Sequence, residues 1–129
     1  MPSVKPLISE LKRRLCCPPP PAPTGLTAAP GGGSMEVLLT WDPPAATQRV
    51  RSFRVYRQRG EGRWWLLAVV ANDPVNHLAP GRLGVVDAPD YWPWPAGADT
   101  SAERCYRVAA VSEHGLEGPM SSAACAVGS

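Results

Sequence analysis

One phenylalanine, two histidines and four cysteines are spread over 129 residues, and no long apolar run occurs. Each scarcity excludes something. His77 and His114 are the only side chains that ordinarily act as bases near neutral pH, and both fall in stretches that read as turns. Neither has a nucleophile or an orienting group beside it in sequence, so each reads as a solvated loop histidine. No catalytic set is expected. Cys16, Cys17, Cys105 and Cys125 are too few for a disulfide framework and lack the paired spacing of a zinc site, so neither metal nor any other cofactor is expected. Asp87, Asp90 and Asp99 match no calcium-loop spacing. No apolar stretch is long enough to span a bilayer. Near the N-terminus Leu7, Ile8, Leu11 and Leu15 are interrupted by Glu10, Lys12, Arg13 and Arg14, which is not the pattern of a secretory leader. The expectation is a cytoplasmically made protein, or a piece of a longer chain.

Charge of one sign is also scarce. Charged residues make up 19% of the chain, and the net charge is +2. Residues 1–17 carry four basic and one acidic side chain (+3), and residues 18–129 carry nine basic and ten acidic (−1). The main body is no polyanion binder, and nucleic acid is not an expected partner.

What the chain does have is proline, sixteen of them, and tryptophan, five. Proline at this density opposes long helices and favours short strands joined by irregular loops. A strand is expected near Thr24–Ala29 with Leu26 inward, then a turn at Gly31–Gly33. The next strand, near Met35–Asp42, puts Val37, Leu39 and Trp41 on one face by the period of two. Residues Ser52–Arg59 place Phe53 and Val55 inward and Arg54, Tyr56 and Gln58 outward. After Gly60–Gly62, a strand near Arg63–Ala71 has Leu67 and Val69 as its expected core residues, with Trp64 and Trp65 on opposite sides. Residues 72–82 read as loop, Leu83–Asp87 as a short strand, and residues 88–103 as an unusually long connection. Arg104–Ser112 then puts Tyr106, Val108 and Ala110 inward, and Met120–Val127 closes the sheet.

The proline-led opening PTGLTAAPGGGSMEVLLTWDPP (from Pro23 to Pro44), FRVYR (Phe53–Arg57) and CYRVAAVSEHG (Cys105–Gly115) together resemble a fibronectin type III domain over roughly residues 22–127. The resemblance implies an all-β, seven-stranded sandwich over residues 22–129, preceded by an arm over residues 1–21. It implies a binding or structural module rather than an enzyme. The family's corner tyrosine falls near Arg104, which cannot reproduce its packing; Tyr91 or Trp92 is the expected substitute. No Arg-Gly-Asp is present, only Arg59-Gly60-Glu61 in a different turn, and no Trp-Ser-x-Trp-Ser box, so integrin and cytokine-receptor readings are not supported.

Three features stand apart from the scaffold. In the arm, Leu7, Leu11 and Leu15 form one helical stripe before Pro18–Pro21 impose an extended spacer. The arm reads as a docking helix for a neighbouring subunit or as a segment folded back on the sandwich. Membrane attachment through acylated Cys16 and Cys17 is the least favoured reading. The string Tyr91-Trp92-Pro93-Trp94-Pro95 presents stiff aromatic faces that suit capping of the sandwich, a protein interface or stacking on sugar. Arg54, Tyr56 and Arg107, with Val111, share an outward amphipathic face. On that face Cys105 falls about opposite Cys125, near enough for a cross-strand disulfide, with free thiols as the alternative. The expected function is a non-enzymatic interaction or structural module. One form is a virion assembly subunit (phage tail or head decoration) docking through its arm. The other is a carbohydrate-binding or spacer domain of a larger extracellular enzyme or receptor, touching cell-surface carbohydrate through Trp92 and Trp94.

Overall fold

The computed structural model describes residues 17–33, 35–58, 62–88 and 103–127. The described residues form two antiparallel sheets packed face to face, an all-β sandwich with no α-helix. One sheet has the order β1 (Thr27–Pro30), β2 (Val37–Trp41), β6 (Arg82–Asp87), β5 (His77–Ala79). The other runs β4 (Trp64–Ala71), β3 (Val50–Gln58), β7 (Arg104–Ser112), β8 (Glu117–Met120), with β9 (Ala124–Ala126) also paired to β7. No described helix is long and apolar enough to cross a membrane.

Alternation builds the core. Val37, Leu39 and Trp41 are fully buried, and from the facing sheet come Phe53, Val55, Tyr106, Val108 and Ala110. Trp41 and Phe53 meet edge to face with ring centroids 5.4 Å apart, the geometry that aromatic quadrupoles favour. The glycine turn closes the first hairpin: Gly31 N–H donates to the Glu36 carbonyl and Gly33 N–H to the Glu36 carboxylate, both at 2.8 Å. Asp42, next to the core tryptophan, binds the entering chain, since Thr24 Oγ1 donates to its carboxylate at 3.1 Å and its own N–H donates to the Thr24 carbonyl.

Four sequence expectations need correction. Val69 is no core residue: it is 61% exposed, and Val70 is buried in its place. The cause is a β-bulge. Val55 pairs with Ala68 but Tyr56 pairs with Leu66, so Leu67 is an extra residue that reverses the alternation beyond it. The final strand is broken in two, because Ser121 is buried between β8 and β9 and exchanges bonds with the Val108 backbone through both its N–H and its Oγ. Together with β5, found inside the stretch read as loop, this raises seven expected strands to nine among the described residues. Val111 does lie on the outward face, opposite Ser52, yet it is covered.

The fourth correction concerns Pro18–Pro21, which do not lead away from the sandwich. Pro20 is buried, its backbone pressed on Gly118 so closely that any Cβ there would collide with the Pro20 carbonyl. Pro21 and Pro23 border a crevice that reaches Phe53 and Ala110. The polyproline segment thus closes one open end of the sandwich. Leu7, Leu11, Leu15, Tyr91, Trp92 and Trp94 lie outside the described residues.

Candidate functional site

The five-stranded sheet turns one face to solvent. Cross-strand pairing sets Tyr56 beside Arg107, and Arg54 beside Ala109, so the predicted trio of Arg54, Tyr56 and Arg107 shares that face. Glu117 of β8 joins them. Its Oε1 accepts from the Tyr56 hydroxyl at 2.6 Å and from Arg54 Nη1 at 3.1 Å. Burial, and then the bond to Glu117, holds the Tyr56 phenol above its usual range; the Tyr56 oxygen and the Glu117 carboxylate raise Arg54 likewise. The pair is half solvated, so it orients side chains more than it stabilises the fold. Arg107 lies 4.7 Å from the centre of the Trp64 ring, and its Nε is buried without a hydrogen-bond partner, so the ring face takes the place of an acceptor. Leu66 and Val69 on β4 are the large apolar side chains exposed beside them. The surface combines flat aromatic area, fixed arginines and bare apolar groups.

Cys105 and Cys125 face each other across β7 and β9 and are joined in a disulfide. Glu103 lies next to them, but joined sulfurs offer no thiolate to a metal. The histidines are apart. His77 opens β5, half-buried and opposite Leu83, not in a free loop. His114 is exposed in the turn after β7, on a cleft of about 330 Å³ shared with Pro18–Pro21 and Arg49.

A second polar cluster is internal, and sequence reading missed it. Asp87, fully buried at the end of β6, accepts from the Tyr106 hydroxyl at 2.5 Å and faces Arg57 Nη1 at 3.3 Å and Arg104 Nη1 at 3.6 Å. Arg104 also donates to the carbonyl of Met35 at 2.7 Å, at a residue whose φ of 63° is uncommon outside glycine. Arg57 stacks 5.0 Å from the centre of the Trp65 ring. Burial, then the bonded carboxylate, pushes the Tyr106 phenol far above the usual range. Asp87 is therefore a structural tie, while Asp90 and Asp99 lie outside the described residues. Arg104 ties the start of β7 to Asp87 by charge and to Met35 by a hydrogen bond. The one clue in sequence was periodic: Arg57 continues the inward series of Phe53 and Val55.

No protein-family model matches the sequence, and no curated protein does. Among solved structures, the crystal structure of a beta-1,2-glucanase from Parabacteroides distasonis superposes with a TM-score of 0.55 at 19% identity. The match covers 84% of this chain but only 12% of the glucanase, and at that identity the likeness is one of fold alone.

Proposed function

We propose that this chain is a non-enzymatic interaction module of the fibronectin type III kind, with the outer face of the five-stranded sheet as its working surface. One observation carries the reading: Arg54, Tyr56, Glu117, Arg107 and Trp64 are mutually fixed on that face beside exposed Leu66 and Val69. Side chains already ordered before binding lose little entropy on meeting a partner. The strand order, with β1–β2–β6–β5 facing β4–β3–β7–β8, is that of an all-β sandwich, the architecture to which the suggested family belongs.

The test is affinity capture with the intact protein from cells of its own source, comparing wild type with Arg54→Glu/Arg107→Glu. Loss of a captured protein in the variant supports the reading, and identical capture by both sinks it. A virion-subunit form of the proposal rests on the stripe of Leu7, Leu11 and Leu15. Its truncation should remove residues 1–16 and keep Pro18–Pro21, because Pro20 is part of the sandwich. Unchanged particle binding by that truncation would count against it.

The accessory-domain alternative has one observation in its favour. The fold recurs as a minor part, 12%, of a much longer glucanase. Tryptophan fluorescence titrated with polysaccharides separates this reading from the first. A response lost in Trp92→Ala/Trp94→Ala supports sugar binding by the aromatic loop, and a silent wild type removes it.

A further inference from the structure

The free edge of β4 has a pattern that fits one particular partner. Among the described residues β4 pairs only with β3, which leaves its other edge without a neighbour in the sheet. Trp64–Ala71 reads WWLLAVVA, eight residues with no charge, proline or glycine. The other sheet edges carry the usual protection: β1 has four residues and ends in Pro30, β5 has three, and β8 contains Pro119. On β4 the exposed large apolar side chains are Leu66 (43%) and Val69 (61%).

A bulge such as the one at Leu67 ordinarily protects an edge strand. A bulged strand has two halves of opposite alternation, and β3 meets it only by leaving Leu67 unpaired. The facing directions, however, form a palindrome. Trp64, Leu66, Val69 and Ala71 lie opposite the outward residues Gln58, Tyr56, Arg54 and Ser52. Trp65, Ala68 and Val70 lie opposite the inward Arg57, Val55 and Phe53, and Leu67 is buried with them. Read from either end the order is out, in, out, in, in, out, in, out. An antiparallel second copy centred between Leu67 and Ala68 therefore matches every residue to one facing the same way. It sets Leu66 against Val69 of the second copy, on both sides of a two-fold axis. A strand of ordinary alternation matches only half of β4 unless it leaves a residue unpaired, as β3 does.

We propose that β4 is a homodimerisation edge, joining two copies by antiparallel pairing centred between Leu67 and Ala68. The proposal rests on the interaction reading and names its partner as a second copy of this chain. An uncharged edge meets its own copy without like-charge repulsion, and the apolar pair Leu66–Val69 is buried twice by symmetry. The Ala71 carbonyl is already taken by the Asp73 N–H and Asn76 Nδ2, so the new ladder extends over Trp65–Val70.

Sedimentation equilibrium of the intact protein across the micromolar range tests this. The expected result is a reversible monomer–dimer equilibrium that Val69→Lys weakens by at least about tenfold, with Leu66→Gln as a second, milder variant. Both positions are exposed, so unfolding midpoints should stay near wild type. In a Leu66→Cys/Val69→Cys variant, mild oxidation should yield dimers whose linking peptide joins position 66 of one copy to position 69 of the other. A monomer at every concentration, a dimer indifferent to Val69→Lys, or crosslinks in another register overturns the pairing. A monomer that still captures a protein through Arg54 and Arg107 leaves the interaction reading standing, and a dimer that captures nothing through that face removes only that reading's site.

Discussion

Replacing Asp87 by asparagine tests whether the buried cluster holds the sandwich together at one end. The change is nearly isosteric and keeps an oxygen for the Tyr106 hydroxyl, so what it removes is charge. Arg57 and Arg104 are each about 5% exposed at the side chain, and Asp87 is not exposed at all. Breaking a buried ion pair by removing one partner costs about 3–5 kcal/mol, because the remaining charge stays desolvated. The separations of 3.3 and 3.6 Å are longer than those of tight charge-assisted bonds, which places the effect near the lower limit, about 3 kcal/mol. Against a domain stability of roughly 5–15 kcal/mol this is a large share.

Equilibrium unfolding in urea, followed by tryptophan fluorescence, measures the change. The midpoint should fall while the slope with denaturant stays constant, since the surface exposed on unfolding is the same. Tyr106→Phe should cost less, about 1.5–3 kcal/mol for a hydrogen bond to a charged acceptor. The double variant should lose less than the sum of the two, because both changes act on one carboxylate. A loss below about 1 kcal/mol in Asp87→Asn would refute the reasoning. It would mean that the guanidinium groups do not depend on this carboxylate.

Three other outcomes follow from the same geometry. The Tyr106 phenol has its folded pKa raised above the ordinary value of 10.0, so its contribution is complete below that value and is lost as pH rises beyond it. Stability measured above about pH 10 should therefore fall less steeply in Tyr106→Phe than in wild type, by up to about 1.4 kcal/mol per pH unit, and parallel slopes would contradict this. Replacing Cys105 and Cys125 by serine opens a link across 20 residues and should cost about 3 kcal/mol on chain entropy, read as a lower urea midpoint; an unchanged midpoint would refute it. Gly118→Ala drives a Cβ into the Pro20 carbonyl and should destabilise by about 1–3 kcal/mol, and a neutral result would show that the polyproline segment is not pinned there.

The parts of the fold legible in sequence were those governed by the chain's own alternation. Val37, Leu39 and Trp41 could be placed because a strand with one buried face repeats every two residues, and Tyr106, Val108 and Ala110 for the same reason. Val69 could not, because its direction is set by a bulge that exists only against β3. Arg57 kept the inward period, but a charge on a core face contradicts hydrophobicity, and its justification, Asp87, lies thirty residues on. Glu117 was hidden between the strands expected at Arg104–Ser112 and Met120–Val127, and its role depends on side chains 61 and 63 residues earlier. Proline positions showed that Pro18–Pro21 are extended, but whether an extended segment packs depends on what faces it, here Gly118.

The placement of the internal cluster gives the insertion between β6 and β7 a mechanical meaning. Asp87 is the last residue of β6 and Arg104 the first of β7, so the salt bridge between them fastens the two stems of the long connection. Tyr106 adds a second tie to the same carboxylate, and the Cys105–Cys125 disulfide fixes β7 to the last strand one residue beyond Arg104. Contacts within the scaffold thus offset part of the entropy of bringing the loop ends together. Stems held by scaffold contacts predict that Trp92→Ala/Trp94→Ala leaves the urea midpoint near that of wild type, and that charge reversal at Arg54 and Arg107 leaves the Asp87–Arg104 bridge in place. If Trp92→Ala/Trp94→Ala lowered the urea midpoint as much as Asp87→Asn does, the loop would be part of the scaffold and this prediction would be wrong.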